Sequence, residues 1–281
     1  MIEPTGWRPT AREYHADREH WSPSMFAVYR ESPALAWGRY VERLWPAPDP
    51  TPEMVLGSAV NAALLGLWDE TVYVVQVETR SCKTYRLAQE GRPDRLVLTL
   101  GEAAAAREVA AAVLEPRTEM ARLARSLLVQ AQGVSEWARR WHDEQADIAL
   151  KTMMDRAVWL RGPAIVELKT SADPSPRGFR QSVRRFDYAW QAAYNRRAVR
   201  LGLGPGAEQP DFFWVVVRSA PPFEVVVYRA SPEMLDVVEK EQVVPLLTEV
   251  GERLRSARGR VDWCAPWELL ESGYIPEIDL G

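Results

Sequence analysis

Three observations predict an α/β (α+β) fold with a central mixed sheet flanked by helices. Helical spacing of apolar residues dominates the first 131 positions; three strand-like segments then follow one another between 134 and 170; beyond them helices and strands alternate to position 257. A hydrophobic fraction of 47% over 281 residues is enough to bury a full-sized core.

Each element has its own signal. Residues 1–50 read as an arm of short helices broken by proline, with Ser22-Pro23 as an N-cap and first-turn proline leading a run through Tyr29. PAPDPTPE at 46–53 is a linker by composition. Met54, Val55, Val60, Ala63, Leu64 and Leu67 form a helical stripe over 52–67. Residues 71–79 and 94–100 read as strands, and 102–131 as one or two alanine- and leucine-rich helices. Residues 134–142, 146–160 and 163–170 form a three-strand meander whose last two members join through an Arg-Gly-Pro turn at 161–163. Two arginine-rich helices follow at about 176–186 and 188–201, then strands at 211–218 and 223–229, then a helix at about 232–257. The expected organisation is an N-terminal helical arm (1–50), a main domain (51–257) and a C-terminal extension (258–281).

Composition excludes several classes. No window approaches eighteen uninterrupted apolar residues, so no membrane-spanning helix is predicted and no membrane partner. The polar N-terminus lacks the apolar centre of a secretory signal, and the expected location is cytoplasmic. Cys82 and Cys264 lie far apart with no CxxC, against a disulfide framework, a zinc site or an iron–sulfur cluster. His15, His20 and His142 have polar neighbours and no ligand spacing, and read as surface or capping residues. There is no GxxxxGK[ST], HExxH or GxSxG, and Gly202-Leu-Gly-Pro-Gly follows a helix, the wrong order for a phosphate loop. A net charge of −4 argues against coating nucleic acid by bulk charge. Only four of the 35 basic residues are lysines (83, 151, 169 and 240). In so arginine-biased a chain, a retained lysine points to chemistry that a guanidinium cannot supply.

One such lysine lies in AIVELKT at 164–170. The period-2 rule puts Ala164, Val166 and Leu168 on one strand face and Ile165, Glu167 and Lys169 on the other. Asp155 lies twelve residues upstream across a tight hairpin, within reach of the same spot. Two carboxylates and a lysine in a buried strand can hold a hard divalent cation and a water for phosphodiester attack. The competing reading of this segment alone is an edge strand with a solvated Glu–Lys pair. Gln191 and Tyr194, at i and i+3, add two polar groups on the second helix beyond.

Taken in order, Asp155, Glu167-x-Lys169 and Gln191-x-x-Tyr194 resemble the motif set of the PD-(D/E)xK nuclease superfamily, in its RecB-like branch and its RecE-type (exodeoxyribonuclease VIII) group. Residues 14–37 resemble that group's N-terminal signature, and Gly57-Ser-Ala-Val-Asn61 its GxxxH helix. Residues 91–113 and 134–159 follow the family course, roughly 12–230 in all. The resemblance implies a restriction-endonuclease-like core and a metal-dependent exonuclease that degrades linear double-stranded DNA from its ends, for recombination or phage-type single-strand annealing. It implies Asp155, Glu167 and the backbone carbonyl of Leu168 as ligands of Mg²⁺ (or Mn²⁺), and Lys169 as the group that orients or deprotonates the attacking water and stabilises charge on the phosphate. Gln191 and Tyr194 would contact the DNA backbone, with Glu136 in support. It further implies a homo-oligomer and a single-strand annealing partner. Two positions depart from the pattern: Met154 replaces the proline before the first acid, and Asn61 replaces the motif histidine that would ligate the metal, leaving Asn61 as the candidate ligand there. A weakened relative that only binds DNA ends, and a structural or partner-binding protein of a mobile element, are the alternative readings.

Between 177 and 200 seven arginines face one acid, Asp187. Arg177, Arg180 and Arg184 share a helical face, and with Arg185 and Arg196 they are candidates for holding a phosphate backbone without reading sequence. The alternative is a solvated face. Trp141, Trp159, Trp190 and Trp214 read as core; Trp7, Trp21 and Trp37 in the arm could stack on unpaired bases, although core packing competes for each.

Overall fold

The computed structural model describes residues 7–204, 206–256 and 263–264. The predicted C-terminal extension thus lies outside the described residues, apart from Trp263 and Cys264. The arm contains α1 (Ala11–Ala16), α2 (Pro23–Glu31) and α3 (Pro33–Ala36). Helix α4 (Pro52–Leu64) starts where Thr51 accepts the Met54 N–H at 3.3 Å and Pro52 needs no N–H partner. After α5 (Trp68–Thr71) the chain forms β1 (Val72–Val74), α6 (Lys83–Glu90) and β2 (Leu96–Leu98). The predicted strands at 71–79 and 94–100 shrink to three residues each and pair in parallel as a separate ribbon. Helix α6, not foreseen, makes the crossover that parallel pairing requires. Helix α7 (Leu100–Leu114) opens with a Thr99–Glu102 capping box and is followed by α8 (Glu119–Arg125).

The main sheet has five strands in the order β3-β4-β5-β6-β7: β3 (Gly133–Asp143), β4 (Ile148–Trp159), β5 (Pro163–Ser171), β6 (Asp211–Arg218) and β7 (Val225–Arg229). Only β5 and β6 run parallel, because α9 (Pro176–Arg185) and α10 (Tyr188–Leu203) return the chain between them. Helices α11 (Pro232–Val238) and α12 (Val244–Ser256), joined by a π turn, complete the predicted C-terminal helix. The result is a mixed α/β architecture with its sheet flanked by helices, as in restriction-endonuclease-like folds.

The sheet separates two apolar clusters. One holds Phe26, Trp190, Tyr194, Ile165 and Trp214 with the arm and α10; the other holds Val60, Val109, Val166 and Leu168 with α4 and α7. The arm is part of the first cluster. Trp21 is bonded edge-on to β4, its N–H on the Ala149 carbonyl at 2.8 Å, and its ring stacks on Trp263. Trp21 is thus a buried packing residue, out of reach of the base stacking that the arm's tryptophans suggested, and Trp37 packs half-buried against Trp263.

One irregularity positions the site. On β4, Leu150 and Met154 pack into the α10-side cluster, and so does Ala157, three residues further on. Strict alternation therefore slips at Asp155–Arg156. Opposite the slip, between the paired positions Ser135 and Trp137, Glu136 adopts a left-handed backbone with φ of 46°.

Candidate active site

Asp155 stands at that slip. The β4–β5 register pairs Arg156 with Val166, so the next position along sets Asp155 across from Glu167. On β5 the predicted alternation holds: Leu168 packs towards α4, while Glu167 and Lys169 turn towards α10. Lys169 Nζ donates to Glu167 Oε2 at 3.2 Å and to Gln191 Oε1 at 3.3 Å, and lies 4.7 Å from the centre of the Tyr188 ring. The Glu–Lys pair is therefore not a solvated edge pair; the two side chains are only 4% and 15% exposed.

Every oxygen of the two carboxylates has a donor. Asp155 Oδ2 accepts the Leu168 backbone N–H at 2.7 Å, and Oδ1 accepts the Asn61 amide at 3.0 Å. Glu167 Oε1 accepts from Asn195 Nδ2 at 3.2 Å. The Asn195 amide is itself oriented, because its Oδ1 accepts the Thr152 hydroxyl at 2.6 Å and leaves only its nitrogen for Glu167. Thr152, Asn195, Glu167, Lys169 and Gln191 thus form one continuous chain of hydrogen bonds.

Electrostatics follows from the packing. Burial, then the neighbouring Glu167 charge, raises the Asp155 pKa from the usual 3.8 to about 7, against the lowering effects of Lys169 and the Leu168 N–H. Burial alone would depress the Lys169 ammonium, but Glu167 and Asp155 outweigh it and hold its pKa above the ordinary value. Glu136 is also raised, by burial and then by Glu70. Charged groups this close and this shielded are typical of sites tuned for chemistry.

A divalent cation fits this donor set. Asn61 Oδ1 is buried without a hydrogen-bond partner, while its nitrogen holds Asp155. Two carboxylates that repel each other, plus an amide oxygen lacking a donor, are hard oxygens of the kind that suits Mg²⁺ or Mn²⁺. Among the described residues no group of three or more His, Cys, Asp or Glu gathers to hold a metal. A cation held here would therefore draw on neutral oxygens to complete its donors.

Two predicted site residues lie elsewhere. Tyr194 is fully buried; its hydroxyl donates to the Trp21 and Lys151 carbonyls at 3.1 and 3.0 Å and ties the arm to β4. It cannot touch DNA. Arg196, five residues past Gln191, stands about 140° round the helix. It is 1% exposed and bonds to Asp236 and the Pro232 carbonyl of α11, so it is a packing residue and not a DNA contact. Arg197 and Arg200 are likewise tied to Asp143 and Glu239. In contrast, Arg177, Arg180, Arg184 and Arg185 on α9 are exposed, and none makes an ion pair among the described residues.

Tyr188 and Asn195 were missed by the motif reading. Their signal was present: 188, 191 and 195 follow i, i+3, i+7, one face of α10 directed at β5. No helix among the described residues is long and apolar enough to cross a membrane.

Comparison with known proteins bears on this geometry. A family model, the PD-(D/E)XK nuclease superfamily, matches residues 20–262. A solved structure from Eubacterium rectale, of a protein described as a "Putative exonuclease", superposes with a TM-score of 0.61 over 97% of each chain at 16% identity. At that identity the likeness concerns the fold. A second solved structure, SSO0001, reaches a TM-score of only 0.28 at 12% identity, over 78% of this chain and 97% of its own. No curated protein matches the sequence.

Proposed function

The chain belongs to the PD-(D/E)XK nuclease superfamily, and on that premise we propose that it is a metal-dependent exodeoxyribonuclease acting on the ends of linear double-stranded DNA. The observation that carries this reading is the Asp155–Glu167–Lys169 cluster, held in a sheet interior and followed along the chain by α9, whose four exposed arginines make no ion pair among the described residues. An exposed basic face of this kind holds phosphates without reading bases.

In this reading Asp155, Glu167, Asn61 Oδ1 and the Leu168 carbonyl would hold Mg²⁺ or Mn²⁺, which when bound supplies Lewis-acid stabilisation of phosphate charge and a more acidic water. The protein's own groups do the rest. Lys169, restrained by Glu167 and Gln191, stays protonated and presents its ammonium to the scissile phosphate, where negative charge grows as the attacking oxygen closes. Asn195 and Leu168 N–H fix the two carboxylates, so that their lone pairs are already aimed before substrate arrives. Asp155, its pKa raised by burial and by Glu167, would have to release its proton to solvent to serve as a ligand, so cation affinity would fall as pH drops below neutrality. Gln191 and the α9 arginines set the backbone in place. A RecE-type role in recombination or strand annealing, a homo-oligomer and an annealing partner remain part of the same proposal.

The test is release of nucleotides from linear but not closed circular DNA in Mg²⁺ or Mn²⁺, absent in Glu167→Gln. A specific observation also favours a second reading, a protein that retains DNA ends without cutting: the neutral Asn61 stands where a stronger ligand would bind. End retention without release at any Mg²⁺ or Mn²⁺ concentration would select it. Absence of both would refute a DNA-end function.

A further inference from the structure

The turn between α9 and α10 presents an aromatic ring that the catalytic reading does not use. Phe186 is 53% exposed, more so than Trp45 or Trp159. It does not stand alone. Its ring stacks on Tyr188, with centres 5.6 Å apart and planes inclined at 29°, and Tyr188 in turn packs on Lys169 at 4.7 Å. The Phe186 ring centre is therefore at most about 10 Å from Lys169 Nζ, roughly three stacked nucleotides at about 3.4 Å each.

The ring is also held in place. Asp187 takes a left-handed backbone (φ 53°), and its carboxylate pairs with Arg30 of the arm at 3.2 Å. Arg30 is itself stacked on Trp190 at 4.7 Å. Tyr188 is backed by Phe179, which stacks on Tyr228. On the solvent side, the Arg185 guanidinium lies 5.2 Å from the Phe186 ring, and Arg184, Arg180 and Arg177 continue along α9. A single exposed apolar side chain needs no explanation. An exposed aromatic, stacked towards Lys169 and bordered by arginines that make no ion pair among the described residues, has the makeup of a platform for a negatively charged strand with a π face.

We infer that Phe186 stacks on an unpaired nucleobase of the DNA end, close to the phosphate that Lys169 faces. The inference rests on the nuclease reading above and deepens it. A strand entering this site is held by phosphates on α9 and by a base on Phe186, so ends with unpaired nucleotides bind better than fully paired ones. The preference is indifferent to sequence, since every base offers a π face.

The experiment measures binding of the full chain, in EDTA, to blunt duplexes and to duplexes with four-nucleotide overhangs of either polarity. Overhangs carry either normal or abasic nucleotides. Phe186→Ala should weaken binding to one normal overhang by about tenfold, a factor typical of losing one base–aromatic stack, and leave blunt-end binding and the melting temperature unchanged. Phe186→Trp should retain the affinity. The parent should lose the same factor on the abasic overhang, and Phe186→Ala should then add nothing. Equal effects of Phe186→Ala on blunt, normal and abasic ends, or no effect on any, would overturn the inference. Because binding is read without metal, the two proposals fail separately. Coupling between ring and base in a protein that never cleaves would remove only the nuclease reading, and normal cleavage without coupling would remove only the platform.

Discussion

Replacing Asp155 with asparagine should stabilise the metal-free protein at neutral and alkaline pH while removing its response to divalent cations. Burial and Glu167 raise the Asp155 pKa from 3.8 to about 7. The metal-free fold therefore favours the protonated carboxyl. That contribution is fully present below pH 3.8 and is lost as pH rises through about 7, because the unfolded chain releases this proton earlier. At roughly 1.4 kcal/mol per pH decade, the loss reaches on the order of 4 kcal/mol by pH 8. Asparagine is neutral at every pH and nearly isosteric. Its oxygen can accept the Leu168 N–H, and its nitrogen can donate to Asn61 Oδ1 once that amide turns over. At roughly 2–3 °C per kcal/mol for a chain of this length, the variant should melt up to about 10 °C above the parent at pH 8 in EDTA. The difference should shrink towards zero near pH 4. Thermal unfolding of both proteins across pH 4–8 measures it directly. Adding Mg²⁺ at pH 8 should raise the parent's melting temperature and leave the variant's unmoved. A difference that is constant with pH, or a parent more stable than the variant at pH 8, would refute the account of two shielded, mutually repelling carboxylates.

Other expectations are simpler to state. Lys169→Arg should reduce cleavage nearly as far as Lys169→Ala, since the space between Glu167, Gln191 and the Tyr188 ring accepts a compact ammonium and not a planar fork; undiminished turnover would show that only charge matters there. The double change Arg180→Ala, Arg184→Ala should lower the dependence of log affinity on log salt by roughly two units with little change in melting, as for two lost phosphate contacts. Arg196→Ala should do the reverse. It should leave the salt slope unchanged but cost roughly 2–4 kcal/mol in denaturant unfolding, because a fully buried side chain and its bonds to α11 disappear.

Much of this site was legible along the chain, and each legible part is local. Alternation in AIVELKT set Glu167 and Lys169 on one face, and the short Arg-Gly-Pro hairpin brought Asp155 opposite them. Ser22-Pro23 marked the start of α2. These features depend on neighbours within a few residues, where periodicity and turn chemistry act directly. Asn195 and Tyr188 were within reach of the same logic, as further members of the Gln191 face.

What only the tertiary structure decided is where each face points. Arg180 and Arg196 are the same residue type in one basic stretch; one meets solvent, while the other is sealed beneath α11 by Asp236. Tyr194 sits one turn from Gln191, yet its hydroxyl serves two backbone carbonyls of the interior. Trp21 left the arm for the core, and Phe186, on which the sequence placed no weight, took an exposed position one ring away from Lys169. A helix carries its residues round at about 100° each, but which sector is covered depends on elements forty or more residues away. That information is distributed over the packing of the two apolar clusters, and no window of sequence contains it.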